Sequence, residues 1–230
     1  MPDDDRDPAR RAYHAPRRAE RARHTRARIV AAAAELFRAH GYAATTVRAV
    51  AARAGVSVPT VELAFGTKPR LLKTAIDVAI AGDDEPVAVL ERDWARKAEA
   101  SDTVADFVAI FGQVFAAAAT RAAELVAAAY EAAPTDPEIK ALTERQEAQR
   151  TITAGWLVDG ILARAPLRPG MSRAAAVDTV WLLMDPVVFT RLTRRRGWRP
   201  DDVEHWFTDS VPRLLLAPGR DAKGHSDGRT

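Results

Sequence analysis

Arginine is concentrated in the first thirty residues of the chain, where guanidinium groups could bind the phosphates of a nucleic acid. The acidic cluster from Asp3 to Asp7 offsets only the first few of these charges. We predict that residues 1–22 form a disordered basic arm, because a basic stretch without an apolar pattern favours polyanions such as DNA. A tail that only increases solubility is the alternative. The arginines are Arg6, Arg10, Arg11, Arg17, Arg18, Arg21, Arg23, Arg26 and Arg28.

A very short predicted helix after Ser57 offers side chains of the kind that read base edges in the major groove of DNA. Its proline falls in the first turn, where the missing N–H would have no acceptor within the helix. Helix N-termini and basic groups nearby would bind the phosphates. The side chains expected to project from this helix are Val58, Pro59, Thr60, Glu62 and Leu63.

Three predicted helices would position these side chains. An apolar stripe at helical spacing predicts a first helix over about residues 23–40. Thr45 or Thr46 caps a second helix, and Gly55 ends it with the permissive backbone that a tight turn requires. The short helix after Ser57 is the third. Two helices joined by a short turn that contains glycine are the layout of a helix-turn-helix DNA-binding motif.

An ordered series of motifs extends over about fifty residues of this region. It comprises Ile29-Val30-Ala31-Ala32-Ala33-Ala34-Glu35-Leu36-Phe37, His40-Gly41-Tyr42, Thr45-Thr46-Val47, Ala51-Ala52-Arg53-Ala54-Gly55-Val56-Ser57, and Thr60 through Phe65 to Lys68 and Leu71-Leu72. This series resembles the tetracycline-repressor (TetR) family of bacterial transcriptional regulators. Two later strings, Gly82 to Pro86 and Arg196 to Trp198, together with Trp206 to Leu216, are similar to an actinobacterial-type subgroup.

The resemblance implies an all-α fold with two parts. Residues 23–68 would form a three-helix, helix-turn-helix DNA-binding domain, and residues 69–216 a larger helical ligand-binding and dimerisation domain. Residues 217–230 are polar and are predicted to be a disordered tail. In the family, the helix that begins near Lys68 moves when ligand binds and so changes the affinity for DNA. By resemblance, the positions that contact DNA are Thr46, Arg48, Ser57, Thr60 and Lys68.

The sequence departs from the family at two positions of the third helix. Glu62 stands where members usually carry tyrosine, and Ala64 where they often carry histidine. A carboxylate is repelled by phosphates, but one that faces a base can accept a hydrogen bond from cytosine N4. Glu62 therefore indicates an altered operator preference. The alternative is a ligand-binding or interaction protein on the same scaffold whose operator recognition is impaired.

Aromatic residues are concentrated after residue 87, and three phenylalanines recur every four residues on one predicted helix. Core packing is the simpler explanation for each of them. Because members of the family enclose a ligand cavity between their central helices, the resemblance makes this ridge part of a candidate lining. Apolar walls favour a small hydrophobic ligand. The candidate residues are Trp94, Phe107, Phe111, Phe115 and Trp156.

The last two long predicted helices, about residues 172–196 and 200–216, carry more apolar surface than one chain's core requires. A two-fold, four-helix interface in a homodimer would bury it, and the same symmetry predicts a palindromic operator with half-sites roughly 34 Å apart. Pro186 should kink or break the first of these helices. The interface candidates are Trp181, Val188, Leu192, Trp206, Phe207 and Leu214.

Other classes of protein find little support in the sequence. The chain has no cysteine and no glycine-rich phosphate loop, and its five histidines lack the spacing of a metal site. We therefore expect neither an enzyme nor a cofactor or metal. Charged residues interrupt the alanine-rich stretches, and the N-terminus lacks the character of a signal peptide. These features predict a cytoplasmic protein that does not enter a membrane.

Overall fold

The computed structural model describes the backbone of residues 8–83, 85 and 87–217, and the side chains from residue 20 onward within those ranges. The N-terminal part consists of four helices. They are α1 (Pro8–Ala44), α2 (Val47–Ala54), α3 (Val58–Phe65) and α4 (Lys68–Ala81).

The rest of the described chain forms a second group of helices, with a short 3-10 turn at Val89–Glu91 before the first of them. No β-strand occurs in the described ranges, and Leu167 and Leu216 form an isolated bridge. The prediction of an all-α fold is confirmed. The helices are α5 (Asp93–Glu99), α6 (Val104–Ala132), α7 (Pro137–Leu162), α8 (Arg173–Leu183), α9 (Pro186–Thr190), which continues as a π-helical turn at Arg191–Arg195, and α10 (Pro200–Leu215).

The start of α1 differs from the prediction. The helix begins at Pro8, so the disorder predicted for residues 1–22 is wrong from residue 8 onward. Alanine and arginine, which dominate this stretch, are among the strongest helix formers, and that preference outweighs the lack of an apolar stripe. Residues 1–7 lie outside the described part of the chain, as does the predicted tail from residue 218.

Two apolar cores hold the helices together. The first combines side chains of α1 to α4, including Ile29 and Leu72, with Leu125 of α6 and Ile139 of α7. The second lies among α5 to α10 around Phe107 and its neighbours. Because α6 and α7 contribute to both cores, the N-terminal helices are packed directly on the helices behind them.

Helix α6 is the central element of the fold. By length and mean hydropathy it could cross a membrane. It packs, however, against six other helices, α1, α4, α5, α7, α9 and α10. Its apolar side chains therefore have partners within the chain, in both apolar cores.

The chain breaks between α8 and α9, as the position of Pro186 predicted. Pro186 is in the first turn of α9, and Asp185 caps that helix by accepting a hydrogen bond from the Val187 N–H at 2.7 Å. A proline at this position costs no backbone hydrogen bond, because the first N–H groups of a helix have no acceptor within it. The break places Met184 to Pro186 beside α6 and α7.

A glycine in α7 allows Phe107 to pack closely against that helix. A Cβ added at Gly160 would lie 2.0 Å from Cζ of Phe107, a ring that is wholly buried. We expect Gly160→Ala to lower the free energy of unfolding by about 1–3 kcal/mol, because overpacking forces the ring or the helix to move. Urea unfolding followed by circular dichroism measures the change.

Gly155→Ala is the matched control on the same helix. Its added Cβ would meet only the end of the Arg173 side chain, at 3.5 Å. Alanine stabilises a helix interior by about 0.5–1 kcal/mol relative to glycine, so this variant should be neutral or more stable. Equal stabilities for the two variants would contradict the close contact at Gly160.

Candidate DNA-binding surface and ligand cavity

Hydroxyl side chains cap the two helices of the helix-turn-helix. Thr46 accepts a hydrogen bond from the Ala49 N–H at 3.1 Å at the start of α2. Ser57 accepts one from the Thr60 N–H at 3.3 Å at the start of α3. Gly55, between them, has a φ of 65°, in the left-handed region that favours glycine. Both capping residues therefore have a structural role, and each lies at the positive end of a helix, where an anion is favoured.

Helix α3 buries one face and exposes the other. Val61 and Phe65 are buried, whereas Pro59, Glu62 and Leu63 are exposed. Leu63 is 91% exposed. Thr60 is half-buried, and its hydroxyl lies 2.8 Å from that of Ser57.

The expectation that Val58 projects freely is wrong. Val58 is half-buried and packs against the N-terminal core, because it precedes the buried Val61 by three residues on the same face of α3. The free face of α3 is thus formed by Pro59, Glu62 and Leu63 with the flanking Ala64.

Two of the N-terminal arginines form hydrogen bonds with backbone carbonyls of α2 and α3. Arg26 donates a hydrogen bond to the Ala64 carbonyl at 3.0 Å and lies over the Phe65 ring, 4.3 Å from its centroid. Arg28 donates to the Ala54 carbonyl at the end of α2. Guanidinium groups at helix C-termini satisfy carbonyls that have no partner within the helix. These two charges therefore fix α2 and α3 against α1.

Arg48 and Lys68 differ in how many hydrogen bonds their side chains make within the chain. Arg48, in the first turn of α2, is exposed and has no hydrogen bond or ion pair with the described residues. The Lys68 ammonium donates to the carbonyls of Tyr42, at 3.0 Å, and Thr45, at 3.1 Å. Burial lowers the pKa of Lys68, although the charge of Asp136 opposes the shift. The Lys68 nitrogen also lies 3.9 Å from the centroid of the Tyr42 ring, so most of the contacts of this ammonium group are within the chain.

Polar side chains join the N-terminal helices to the start of α7. The Tyr42 hydroxyl donates a hydrogen bond to Asp136 at 2.8 Å, and Asp136 in turn caps α7. Thr67, at the start of α4, donates to Glu138 at 3.1 Å, and Arg70 lies 3.6 Å from the same carboxylate. We call the side chains of Tyr42, Asp136, Thr67, Arg70 and Glu138 the α7 clamp.

The α7 clamp predicts a loss of stability in acid. The hydrogen bond from Tyr42 holds the pKa of Asp136 below its ordinary value, with help from the N–H groups at the start of α7 and against the effect of burial. A carboxyl group with a lowered folded pKa stabilises the fold above its unfolded pKa of about 3.9 and loses that contribution as the pH falls through the folded value. Urea unfolding between about pH 6 and pH 2 should therefore show a smaller acid loss for Asp136→Asn than for the wild type.

Asparagine retains the ability to cap a helix, so this substitution removes mainly the titrating charge. Asp102→Asn, at an exposed position, is the control for a change of net charge. An acid loss in Asp136→Asn equal to that of the wild type would show that the α7 clamp does not depend on this carboxylate.

A cavity of about 320 Å³ lies between α6, α7 and the break that separates α8 from α9. The volume is near the lower end of the ~300–1,000 Å³ typical of small-molecule sites. One side is apolar and includes Trp94, Phe111 and Phe115, with Val114 and several alanines of α6. A larger hollow of about 860 Å³, between α1, α4 and α6, adjoins the cavity and shares lining residues such as Ile80 with it.

The cavity includes three of the five predicted lining residues. Trp94, Phe111 and Phe115 line it, but Phe107 and Trp156 do not. Phe107 lies behind them, under the guanidinium of Arg164 at 4.3 Å. Trp156 packs on Trp94 and Phe107 at centroid distances of 5.5 and 5.2 Å. For these two residues core packing, the simpler explanation, is correct.

The opposite side of the cavity is polar, which no sequence motif predicted. Gln146, Gln149, Arg150 and Thr153 of α7 recur at a spacing of three or four residues and so lie on one face of the helix. Tyr130 of α6 completes this wall, and burial raises the pKa of its hydroxyl, which keeps the phenol neutral. In a sequence, such a polar stripe looks the same as the solvent face of a surface helix.

The residues predicted for the dimer interface differ in their exposure within one chain. Trp181, Val188, Leu192 and Trp206 are half-buried, and Leu214 is 39% exposed. Leu182, beside Trp181, is also exposed.

Phe207 is wholly buried in the chain's own core, so its assignment to a dimer surface is wrong. Its ring lies 4.8 Å from Phe115 and 5.8 Å from Phe111, measured between centroids. It belongs to the face of α10 that packs on α6, together with Val203 and Val211.

A short exposed helix, capped at its N-terminus and held on a buried core after a glycine turn, defines a helix-turn-helix DNA-binding protein. Residues 29–75 match the family model described as bacterial regulatory proteins, tetR family. This match covers the helix-turn-helix and the part of α1 in front of it, and it identifies that segment as a DNA-binding domain of the kind that the sequence motifs predicted.

Solved structures of bacterial transcriptional regulators share the fold over most of the chain. A regulator from Saccharomonospora viridis, solved in complex with choline, is 14% identical with a TM-score of 0.62, over 84% of this chain and 98% of its own. NalD of Pseudomonas aeruginosa, the secondary repressor of the MexAB-OprM multidrug efflux pump, is 21% identical with a TM-score of 0.61, over 87% and 98%. FadR from Bacillus subtilis, in complex with stearoyl-CoA, is 18% identical with a TM-score of 0.61, over 81% and 97%.

No curated protein sequence shows significant similarity to the chain. At these levels of identity the likeness to solved structures concerns the fold. The subgroup suggested by the later sequence strings is not tested by any of these matches and stays a prediction.

Proposed function

We propose that the protein is a sequence-specific, dimeric transcriptional repressor whose affinity for a palindromic operator is controlled by a small hydrophobic ligand. The observation that carries the proposal is the free face of α3 on a helix-turn-helix whose chain also encloses a separate cavity. Thr46, Ser57 and Thr60, with Arg48 and Lys68, would bind phosphates or base edges. Glu62 would read a cytosine.

The proposed function also implies where the protein acts and how two copies of it assemble. The protein would act in the cytoplasm, where operator DNA is found, without catalysis and without a cofactor. The described residues contain no group of three potential metal ligands. A second copy would pack against α8 to α10 through Trp181, Val188, Leu192, Trp206 and Leu214, and the resulting two-fold axis would place two α3 helices on one face of the duplex.

Helix α4 supports the proposed coupling of ligand to DNA. It begins at Lys68, in contact with the N-terminal core, and its far end reaches the cavity through Ile80. Asp77 of α4 lies 3.4 Å from the side-chain amide of Gln146, which lines the cavity. Arg121 of α6 donates to the Ala79 and Ile80 carbonyls, so the C-terminus of α4 is held by the helix that forms the apolar wall.

Helix α7 supports a second connection. Its middle turns line the cavity, and its first turn forms the α7 clamp on the N-terminal helices. A displacement of α7 by ligand would therefore change the position of α1 and α4 directly. Ligand can release DNA only to the extent that it binds the DNA-competent and DNA-incompetent states with different affinities.

One observation favours the second candidate function, a ligand-binding protein with impaired operator recognition. The free face of α3 presents the carboxylate of Glu62 and no basic side chain. A salt titration of binding to random-sequence duplexes, followed by fluorescence anisotropy, tests whether the chain binds DNA at all. We expect binding at low salt that weakens steeply as salt rises, since phosphate contacts release counterions. No binding at low salt would favour the second candidate.

Arg48→Ala tests the surface itself. It should weaken binding to all duplexes alike and reduce the slope of log affinity against log salt by about 1, as expected for one lost phosphate contact. Arg145→Ala removes the same charge from an exposed position on α7 and is the matched control. Equal effects of the two substitutions would show that only net charge matters.

A further inference from the structure

Arg150 has an unusual environment in the polar wall of the cavity. Its side chain is only 9% exposed, and its guanidinium carbon lies 4.0 Å from the centroid of the Trp181 ring. Nη1 contacts the Tyr130 hydroxyl at 3.5 Å. Its other two nitrogens, Nε and Nη2, are buried and have no hydrogen-bond acceptor among the residues that the structure describes.

A buried donor without an acceptor is costly, and a site that leaves two of them on one group requires an explanation. Asp185 lies 3.1 Å from Nη2, but as an ion pair and without the alignment of a hydrogen bond. Its other oxygen accepts the Val187 N–H that begins α9. Asp185 therefore balances the charge of Arg150 and leaves N–H donors of the guanidinium unsatisfied.

We propose that the cavity binds an uncharged molecule with a compact apolar body and a carbonyl group, and that Arg150 donates hydrogen bonds to the carbonyl oxygen. This inference rests on the proposed function, since it names the chemical class of the ligand in the same cavity. The body would lie against Trp94, Phe111 and Phe115, opposite the polar wall. The guanidinium lies over the Trp181 ring and is part of the cavity lining, so its free donors are at the wall that such a ligand would contact.

The charges of Arg150 and Asp185 favour a neutral ligand over an anion. Arg150 and Asp185 form a pair with no net charge, and both are largely buried. A ligand carboxylate would add an unbalanced negative charge next to Asp185, at a large cost in desolvation. A carbonyl oxygen supplies the missing acceptor without that charge, and a hydrocarbon supplies none.

Three probes of similar shape test the proposal: benzylacetone, which is a ketone, hydrocinnamate, which is the corresponding carboxylate, and isopentylbenzene, which is a hydrocarbon. Quenching of tryptophan fluorescence reports binding to the DNA-free protein, because Trp94 lines the cavity and Trp181 lies under Arg150. We expect the ketone to bind at least ~10-fold more tightly than the carboxylate. Arg150→Met should weaken ketone binding ~10-fold and leave hydrocarbon binding within ~3-fold of the wild type.

Arg145→Met, at an exposed position of the same helix, is the control and should change none of the three affinities. Asp185→Asn is the second variant, because asparagine still caps α9 but leaves Arg150 with an unbalanced positive charge. It should reverse the preference, so that the carboxylate binds more tightly than the ketone. Circular dichroism and a two-state unfolding curve show that each variant is folded.

Several results would overturn the proposal. They are a carboxylate that binds the wild type more tightly than the ketone, a ketone affinity that Arg150→Met does not change, and the absence of saturable binding of the ketone up to ~10 mM. DNA is not present in these titrations. A negative result in these titrations would therefore not count against DNA binding. Failure to bind an operator would likewise not count against the proposed ligand.

Discussion

Replacement of Phe207 by alanine is expected to lower the free energy of unfolding by about 3–5 kcal/mol, the cost of a large cavity in a well-packed core. Phe207 has no exposed surface and lies between Phe115 and Phe111 of the central helix. Its loss would weaken the packing of α10 on α6, and the walls of the ligand cavity would lose support. Urea unfolding monitored by circular dichroism at fixed protein concentration measures the change.

Leu214→Ala, on the same helix, is the matched control. Leu214 is 39% exposed within one chain, so its removal should cost well under the amount expected for Phe207. Any larger effect should depend on protein concentration, as expected for a residue that a second copy covers. If Phe207→Ala proved as stable as Leu214→Ala, the assignment of the two faces of α10 would be wrong.

The second large effect is expected at the buried ion pair. Asp185→Asn should destabilise the protein by about 3 kcal/mol, because it leaves the charge of a buried arginine without a partner. The side chains of Arg150 and Asp185 are only 9% and 17% exposed, so solvent offers little compensation. Because asparagine still caps α9, the loss of stability measures the effect of removing the negative charge. Chemical unfolding of the single variants and the double variant measures it.

The double variant Arg150→Met/Asp185→Asn should recover most of this loss, since replacing a whole buried pair is often neutral, whereas removing one partner is not. Such non-additivity is the signature of a direct interaction. If the losses of the two single variants simply added, Arg150 and Asp185 would not act as a pair.

The sequence predicted the helix-turn-helix well because its signals are local. Capping by Thr46 and Ser57, the glycine turn at Gly55 and the break at Pro186 each depend on the backbone preferences of one or two residues. Helix α1 begins earlier than its apolar stripe predicts, because the helix propensity of alanine and arginine extends it without apolar contacts.

The cavity and the core positions depended on tertiary packing, which a single sequence does not specify. Phe107 and Phe111 are one helical turn apart on α6, yet only Phe111 lines the cavity, because Gly160 and Arg164 receive the Phe107 ring. Phe207 lies on the inner face of α10 and Trp206 on the outer side, a difference of one residue. The role of Arg150 follows from burial and unsatisfied donors, and neither property is visible in sequence.

Selection of bound sequences from a random pool of duplex DNA, at fixed salt, tests the central claim most directly. The wild type should enrich a palindrome whose half-sites are roughly 34 Å apart, and Glu62→Tyr should enrich one that differs at the position read by α3. If the wild type enriched no sequence and only Glu62→Tyr did, Glu62 would have disabled recognition. Failure of both proteins to enrich any sequence would contradict the account of this chain as a sequence-specific regulator.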